Sequence, residues 1–255
     1  MGKTMITRKT GGSLLLAIIL LLPAFVAAQD GEERQYLAVR TVTVTAEGSA
    51  TWVEQQRQLA AVHKERGDPT RHVWQEVTGD IDTFHIVTFP DGFAGRDEAP
   101  EGPPMGDAQA EWVAKISPTV ASRNTVVLRR YPQHTIPNAD DSAPGLSTLR
   151  YTTIAPGKSG AFNTWIGEKL VPALKKGGAE GVRFNRIVFG GNTNVWVSSN
   201  SLPNFAALDG PGPLAYLSDE ENAELFDGWG EMVWESDVRL VRFRDDLSHT
   251  TPNED

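Results

Sequence analysis

SATWVEQQRQLAAVHKERG, residues 49–67, and AFNTWIGEKLVPALKKGG, residues 161–178, decide the fold. Each places a tryptophan near the start of an apolar helical stripe, and each stops at glycine. Trp52 and Trp165 lie 113 residues apart. Later in each half a second stripe follows. Trp112, Val113, Ile116 and Val120 form the first; Leu225, Phe226, Trp229 and Val233 form the other, and positions 112 and 225 are again 113 apart. TVVLRRY from Thr125 and VRLVRF from Val238 come next. Identity between the halves is low. Element order and spacing repeat together at both ends, which chance similarity would not preserve.

Working outward, residues 37–45 are rich in β-branched side chains and suit a strand. Residues 51–66 read as a helix with Trp52, Leu59, Ala61 and Val62 near one face, ended by Gly67-Asp68-Pro69. Residues 72–77 and 83–89 form a hairpin turning at Gly79-Asp80. Residues 90–106 read as an exposed loop, 107–120 as a helix frayed by Pro118, and 124–131 as the closing strand. In the second half Ser159 caps a helix carrying Phe162, Trp165, Ile166, Leu170 and Leu174, kinked by Pro172 and ended by Gly177-Gly178. Residues 182–188 and 193–199 form the second hairpin, through Gly190-Gly191-Asn192. Ser218 with Glu221 is a capping-box signature before the stripe of Leu225, Phe226, Trp229, Met232 and Val233. Between the anchors the register slips. HVWQEV (72–77) matches VRFNRI (182–187) at a spacing of 110, and Phe93-Ala94 matches Phe205-Ala206 at 112.

Each half therefore reads strand, helix, strand, strand, loop, helix, strand, the ferredoxin-like split unit. A sheet with helices on one face needs cover on the other, and two such sheets can cover each other. The pattern resembles the dimeric α/β-barrel superfamily, which holds antibiotic-biosynthesis monooxygenases, NIPSNAP-like proteins and stress-responsive barrel domains. The resemblance rests on element order, on the tryptophan opening each first helix and on the two Phe-Ala pairs, over about residues 36–131 and 147–244. It implies an α+β fold in which two βαββαβ repeats form an intrachain dimeric α/β barrel. It carries over no catalytic residue. The expected segments are a signal peptide (1–28), a first repeat (29–132), a linker (133–146), a second repeat (147–247) and a polar tail (248–255).

The signal peptide is expected from Lys3, Arg8 and Lys9, the aliphatic run from Leu14 to Leu22, and the small residues Val26 and Ala28 before Gln29. The apolar run is shorter than the roughly 20 residues of a spanning helix and contains Pro23. The chain is thus expected to be exported, periplasmic or secreted, with no stable membrane insertion after cleavage. The formal net charge is −9, and residues 1–28 hold three cations and no acid, which leaves −12 after cleavage. So acidic a surface opposes nucleic acid as a partner. With no cysteine in the chain, thiol catalysis, zinc–thiolate sites and Fe–S clusters are excluded.

No phosphate loop, GxSxG, HExxH or metal-spaced histidine pair is present, so no metal site is expected. His134 and His249, in linker and tail, are expected to be solvated. His85 alternates with Val87 and Phe89 in TFHIVTF. Facing a barrel interior it could act as base or haem ligand; otherwise it is a satisfied strand histidine. Trp74 and Glu76 share one strand face, matched at a spacing of 110 by Phe184 and Arg186. These four, with Trp196, are the candidate ligand-binding residues, with Glu76 paired to Arg186 across a shared cavity. Trp52, Trp112, Trp165 and Trp229 fall on helical stripes and read as core rather than as a sugar platform. Glu76 and His85 are the catalytic candidates. The first functional reading is non-enzymatic: a barrel that binds a small apolar or aromatic ligand, or serves an accessory role, with no cofactor. The alternatives are a cofactor-independent monooxygenase or isomerase using a cavity His or Glu, and a haem-binding barrel. Oligomeric state stays open, because an internal pseudo-dimer needs no partner chain.

Overall fold

The computed structural model describes residues 36–89, 105–138 and 145–251. The expected signal peptide, most of the loop at 90–106 with its Phe93-Ala94 pair, part of the linker and the last tail residues lie outside the described residues.

The first half runs β1 (Tyr36–Val44), α1 (Ser49–Arg66), β2 (Arg71–Glu76), β3 (Thr83–Thr88), α2 (Gln109–Ile116) and β4 (Val120–Arg130). The second runs β5 (Leu146–Ile154), α3 (Ser159–Trp165), a π-helical turn (Ile166–Leu170), α4 (Val171–Lys176), β6 (Val182–Phe189), β7 (Val195–Leu202), α5 (Asp219–Leu225), α6 (Trp229–Met232) and β8 (Val233–Phe243). The eight strands close into one antiparallel barrel in the order β1-β3-β2-β8-β5-β7-β6-β4. Two seams join the halves, β2 with β8 and β4 with β6. Both seams are short, over Trp74–Glu76 of β2 and Val127–Arg130 of β4, and they close the ring of strands.

Strand alternation sorts the side chains into three layers. Outside the first sheet, Val42, Val44, Val73 and Phe84 pack with Trp52 and Ile116 of the helices. Trp52 is 1% exposed and lies 4.3 Å from the Phe84 ring. Outside the second sheet, Ile154, Phe184 and Trp196 pack with Phe162, Trp165 and Ile166. Inside the barrel, Leu37, Leu128, Ile187 and Val197 meet from both halves, with Val39, Val87, Phe89 and Tyr151 half-buried beside them. The lumen is the layer that only the doubled fold creates.

Several local expectations need correcting. The buried face of α1 is Trp52, Gln55, Gln56, Leu59 and Ala60, whereas Ala61 is exposed and Val62 half-buried. Gln56 belongs there because its side-chain oxygen accepts from the Arg71 guanidinium, which is buried under the helix. The stripe beginning at Leu225 is two helices. Gly228 adopts φ 73 between them, a left-handed conformation that favours glycine. Both closing strands begin earlier than expected, at Val120 and Val233.

Ser159 is the first helical residue and makes no capping hydrogen bond; the N-cap is Lys158. Pro172 does not leave a simple kink. The preceding turn widens to π geometry, and the Val171 amide reaches back five residues to the Ile166 carbonyl. A proline ring clashes with the carbonyl four residues earlier, and the wider turn relieves that clash. The capping box at Ser218 and Glu221 is present with both of its hydrogen bonds.

His134 and His249 are buried, not solvated, at 6% and 5% exposure. The linker folds back so that Ile136 bridges to Val182, and His134 seats against Gly167 with its Nε2 bonded to Asn163 at 3.0 Å. The tail bridges Arg71 to His249, whose Nε2 lies 2.7 Å from the Asp68 carbonyl. Neither contact is local in sequence, and polarity alone had suggested exposure. Among the described residues no helix is long and apolar enough to cross a membrane.

Candidate functional site in the barrel lumen

Glu76 ends β2, and its side chain points into the lumen at 3% exposure. Its neighbours on β2 explain the direction. Val73 packs under the helices and Arg71 bonds Gln56, so the alternate positions 72, 74 and 76 face inward. His85, on β3, is 2% exposed and lies with its Nε2 3.0 Å from Glu76 Oε1. Its Nδ1 lies 3.0 Å from Thr41 Oγ1 on β1. Arg239, on β8 across the seam, donates from Nη1 to the same Glu76 oxygen at 2.7 Å and from Nε to Asp237 at 2.8 Å. Its guanidinium sits 5.3 Å from the Tyr151 ring centre.

Burial alone would raise the Glu76 carboxyl. Hydrogen bonds from His85 and Arg239, together with the charge of Arg239, outweigh burial and hold it below the usual carboxylate range. Glu76 is therefore ionised at neutral pH and only accepts. That assigns the tautomer of neutral His85: Nε2 carries the proton toward Glu76, and Nδ1 accepts from the Thr41 hydroxyl. The chain Thr41–His85–Glu76–Arg239 has a buried middle and two accessible ends, since Thr41 is half-buried and Arg239 is 40% exposed. Tyr151 borders it. Burial first, and then the nearby carboxylates of Glu76 and Asp237, push its phenol up to about 12 against the opposing pull of Arg239.

The second half does not repeat this chemistry. Thr41 pairs with Asn124 as Tyr151 pairs with Asp237, and Trp74 pairs with Phe243 as Asn185 pairs with Arg130. These pairings make Asn185 the counterpart of Trp74 and Ile187 the counterpart of Glu76. By the same logic Val197 answers His85, and Val126 answers Arg239. Where one side of the lumen has His85, Glu76 and Arg239, the equivalent places hold Val197, Ile187 and Val126; Tyr151 stands in the place of Thr41 and Asn185 in that of Trp74.

The spacing between β2 and β6 is thus 111 (74 to 185), not 110. A one-residue slip sends every side chain to the opposite face. Phe184 and Trp196 consequently lie in the helix-covered layer outside the barrel, and Arg186 bonds the Thr193 carbonyl there. Glu76 pairs with Arg239, not with Arg186. Of the sequence candidates, the structure brings together Trp74, Glu76 and His85 in the lumen and leaves Phe184, Arg186 and Trp196 outside it. Sequence reading passed over Thr41, Arg239 and Tyr151. Their signal was alternation: Arg239 shares a strand face with Val241 and Phe243, as Thr41 does with Val39 and Leu37.

An open cleft of about 620 Å³ lies at the β2–β8 seam, against Glu76, Ile81, Arg242, Phe243 and Arg244. The seam is short, running only from Trp74–Phe243 to Glu76–Val241. Ile81 beside it is 59% exposed. The cleft thus reaches two residues of the lumen wall from outside.

No protein-family model matches the chain, and no curated protein matches it. Solved structures do. A monooxygenase candidate from Lactobacillus acidophilus NCFM aligns over 86% of this chain and 97% of its own, with TM-score 0.57 and 12% identity. An anthrone oxidase-like protein aligns over 88% and 96%, with TM-score 0.62 and 11% identity. A mutant chlorite dismutase from Candidatus Nitrospira defluvii aligns over 85% and 94%, with TM-score 0.53 and 6% identity. The chain has the dimeric α/β-barrel fold. It builds both halves of that barrel from a single polypeptide, and nearly the full length of each neighbour is covered.

Haem does not fit His85. A ligand to iron needs a free ring nitrogen, and both nitrogens of His85 are engaged, with Thr41 and Glu76. Among the described residues no cluster of His, Asp and Glu suited to a metal ion is present.

Proposed function

We propose that the lumen is a small-molecule site in which Thr41, His85 and Glu76 move a proton to or from an aromatic ligand without a cofactor. The observation that carries this reading is a hydrogen-bonded chain that the equivalent positions of the barrel do not repeat. An imidazole, a carboxylate and a guanidinium, His85, Glu76 and Arg239, are bonded in sequence at one side, while Val197, Ile187 and Val126 occupy the equivalent places and Tyr151 answers Thr41. At those three places a purely structural layer would be served by aliphatic residues on both sides.

The chemistry follows from the hydrogen bonds. An acidic O–H or activated C–H of the ligand gives its proton to Thr41 Oγ1 as the hydroxyl's own proton passes to His85 Nδ1. The imidazolium so formed stays bonded to the Glu76 carboxylate, which stabilises it. Returning the proton to another atom of the ligand is an isomerisation. Trp74, Phe89 and Phe243 supply aromatic walls, with Phe243 and Trp74 ring centres 5.1 Å apart. The monooxygenase candidate and the anthrone oxidase-like protein among the fold neighbours support an enzymatic rather than an accessory role.

The test is NMR of protein labelled with ¹⁵N-histidine. Added 2-naphthol should move the ring signals of His85 and leave His63 and His249, outside the barrel, in place. Thr41→Val should abolish the response of His85. Equal responses from all histidines, or none from His85, would sink the reading.

We further propose that this activity operates outside the cytosol, on the strength of Lys3, Arg8, Lys9 and the Leu14–Leu22 run before Ala28. N-terminal sequencing of protein from the native host should begin at Gln29; a chain beginning at Met1 would withdraw the proposal.

A further inference from the structure

The lumen carries a second polar group, on β6, that the proton chain does not use. Val182 and Phe184 pack in the helix-covered layer, so Arg183, Asn185 and Ile187 face inward. Asn185 is 5% exposed. Its Nδ2 donates to the Val197 carbonyl at 3.3 Å, and its Oδ1 has no hydrogen-bond partner. The Val197 carbonyl only accepts, so the amide cannot be turned round, and a buried acceptor stays directed into the lumen. An unmet buried acceptor is costly unless a ligand donor completes it.

Arg183 stands two residues before Asn185 on the same face. Its contacts are long ones, 3.4 Å to the Gly181 carbonyl and 3.4 Å to Ser201 Oγ, and it makes no ion pair among the described residues. Arg130 lies directly opposite Asn185 across the β4–β6 seam and is thus a diagonal neighbour of Arg183. The two guanidiniums concentrate positive charge at this level, beside the half-buried ring of His72. Burial and the nearness of Arg183 lower both His72 and Arg130. Glu76 and Asp237, also on the lumen side, are already held by Arg239. The lumen-facing rings of His72, Trp74, Phe89 and Phe243, on β2, β3 and β8, form one cluster, with His72 edge-on to Phe89 at 5.2 Å and to Phe243 at 5.5 Å.

We infer that Arg183 and Asn185 form a subsite for an aromatic carboxylate bearing a neighbouring hydroxyl, the guanidinium taking the carboxylate and Asn185 Oδ1 accepting from the hydroxyl. This deepens the proton-transfer reading and rests on it, because it names the class of molecule the lumen holds. A guanidinium binds a planar carboxylate through paired donors, and the amide oxygen supplies the acceptor a carboxylate alone would leave unused.

Calorimetric titration of the purified protein with 3-hydroxy-2-naphthoate, 3-hydroxy-2-naphthamide and 2-naphthoate tests it. The hydroxynaphthoate should bind about tenfold more tightly than either partner compound, each lacking one charge-assisted or completed hydrogen bond. Arg183→Gln should erase the preference for acid over amide, and Arg183→Lys should restore part of it. Asn185→Leu should erase the preference for the hydroxylated acid alone. Amide and acid binding equally, while 2-naphthol still moves the His85 ring signals, would overturn the subsite and leave the lumen reading intact. Failure of all three compounds together with a silent His85 would remove both.

Discussion

His85 and Glu76 lie 3.0 Å apart, both almost fully buried, and both on strands of the first half. Arg239 from the second half reaches the same carboxylate oxygen at 2.7 Å. The pair is therefore completed only when the barrel closes, which ties the chemistry of the site to the stability of the fold.

Acidification should expose that link. The Glu76 carboxyl is depressed in the folded chain, so its contribution is present above the carboxyl's unfolded value and is lost as pH falls through the folded one. Urea unfolding of the wild type and Glu76→Gln should differ at pH 7 and converge on descent below the ordinary carboxylate range. Glu76→Ala should cost about 1–3 kcal/mol at pH 7, because it leaves the buried His85 ring without its acceptor while Arg239, 40% exposed, keeps Asp237. A wild type and Glu76→Gln with parallel pH profiles would contradict the assignment.

Alkaline titration examines the same site from its aromatic side. Tyr151, pushed up to about 12 chiefly by burial, should be the last of the four tyrosines to ionise in ultraviolet difference spectra. Tyr151→Phe should delete that final step. Because the folded value lies above the ordinary 10.0, stability held below pH 10 should be lost as pH rises toward 12. A final step that persists in Tyr151→Phe would place the late-ionising phenol elsewhere.

Gly167 tests the folded-back linker. Alanine normally stabilises a helix over glycine by about 1 kcal/mol. Here a Cβ would meet His134 Cε1 at 2.8 Å, and that ring is buried and bonded to Asn163. Gly167→Ala should therefore lower stability, by about 1–3 kcal/mol as overpacking does. A rise in melting temperature would mean that His134 is free to move.

The layers of this barrel were legible in the sequence because Trp52, Trp165 and the later stripes mark helix faces at a spacing of 113. His85 and Glu76 were legible as candidates because strand alternation groups them with Val87 and with Trp74. What alternation could not supply was register between β2 and β6. The true spacing of 111 differs by one residue from the best letter match, and one residue moves Phe184 and Arg186 from lumen to helix layer. Arg239 was illegible as the partner of Glu76 because a contact spanning 163 positions depends on how the barrel closes. His134 and His249 misled for a related reason: polar connecting segments look solvated until distant strands give them partners.

The central claim, that Thr41, His85 and Glu76 move a ligand proton, is met most directly by deuterium exchange. 2-Tetralone, an aromatic ketone with acidic C–H bonds, would be incubated with the protein in D₂O and followed by proton NMR. Exchange should be faster with wild type than with buffer, and Thr41→Val and His85→Phe should each lower the protein-dependent rate at least tenfold, a loss typical of removing a general acid–base group. Exchange at the buffer rate with wild type, or at the wild-type rate with both variants, would contradict the account.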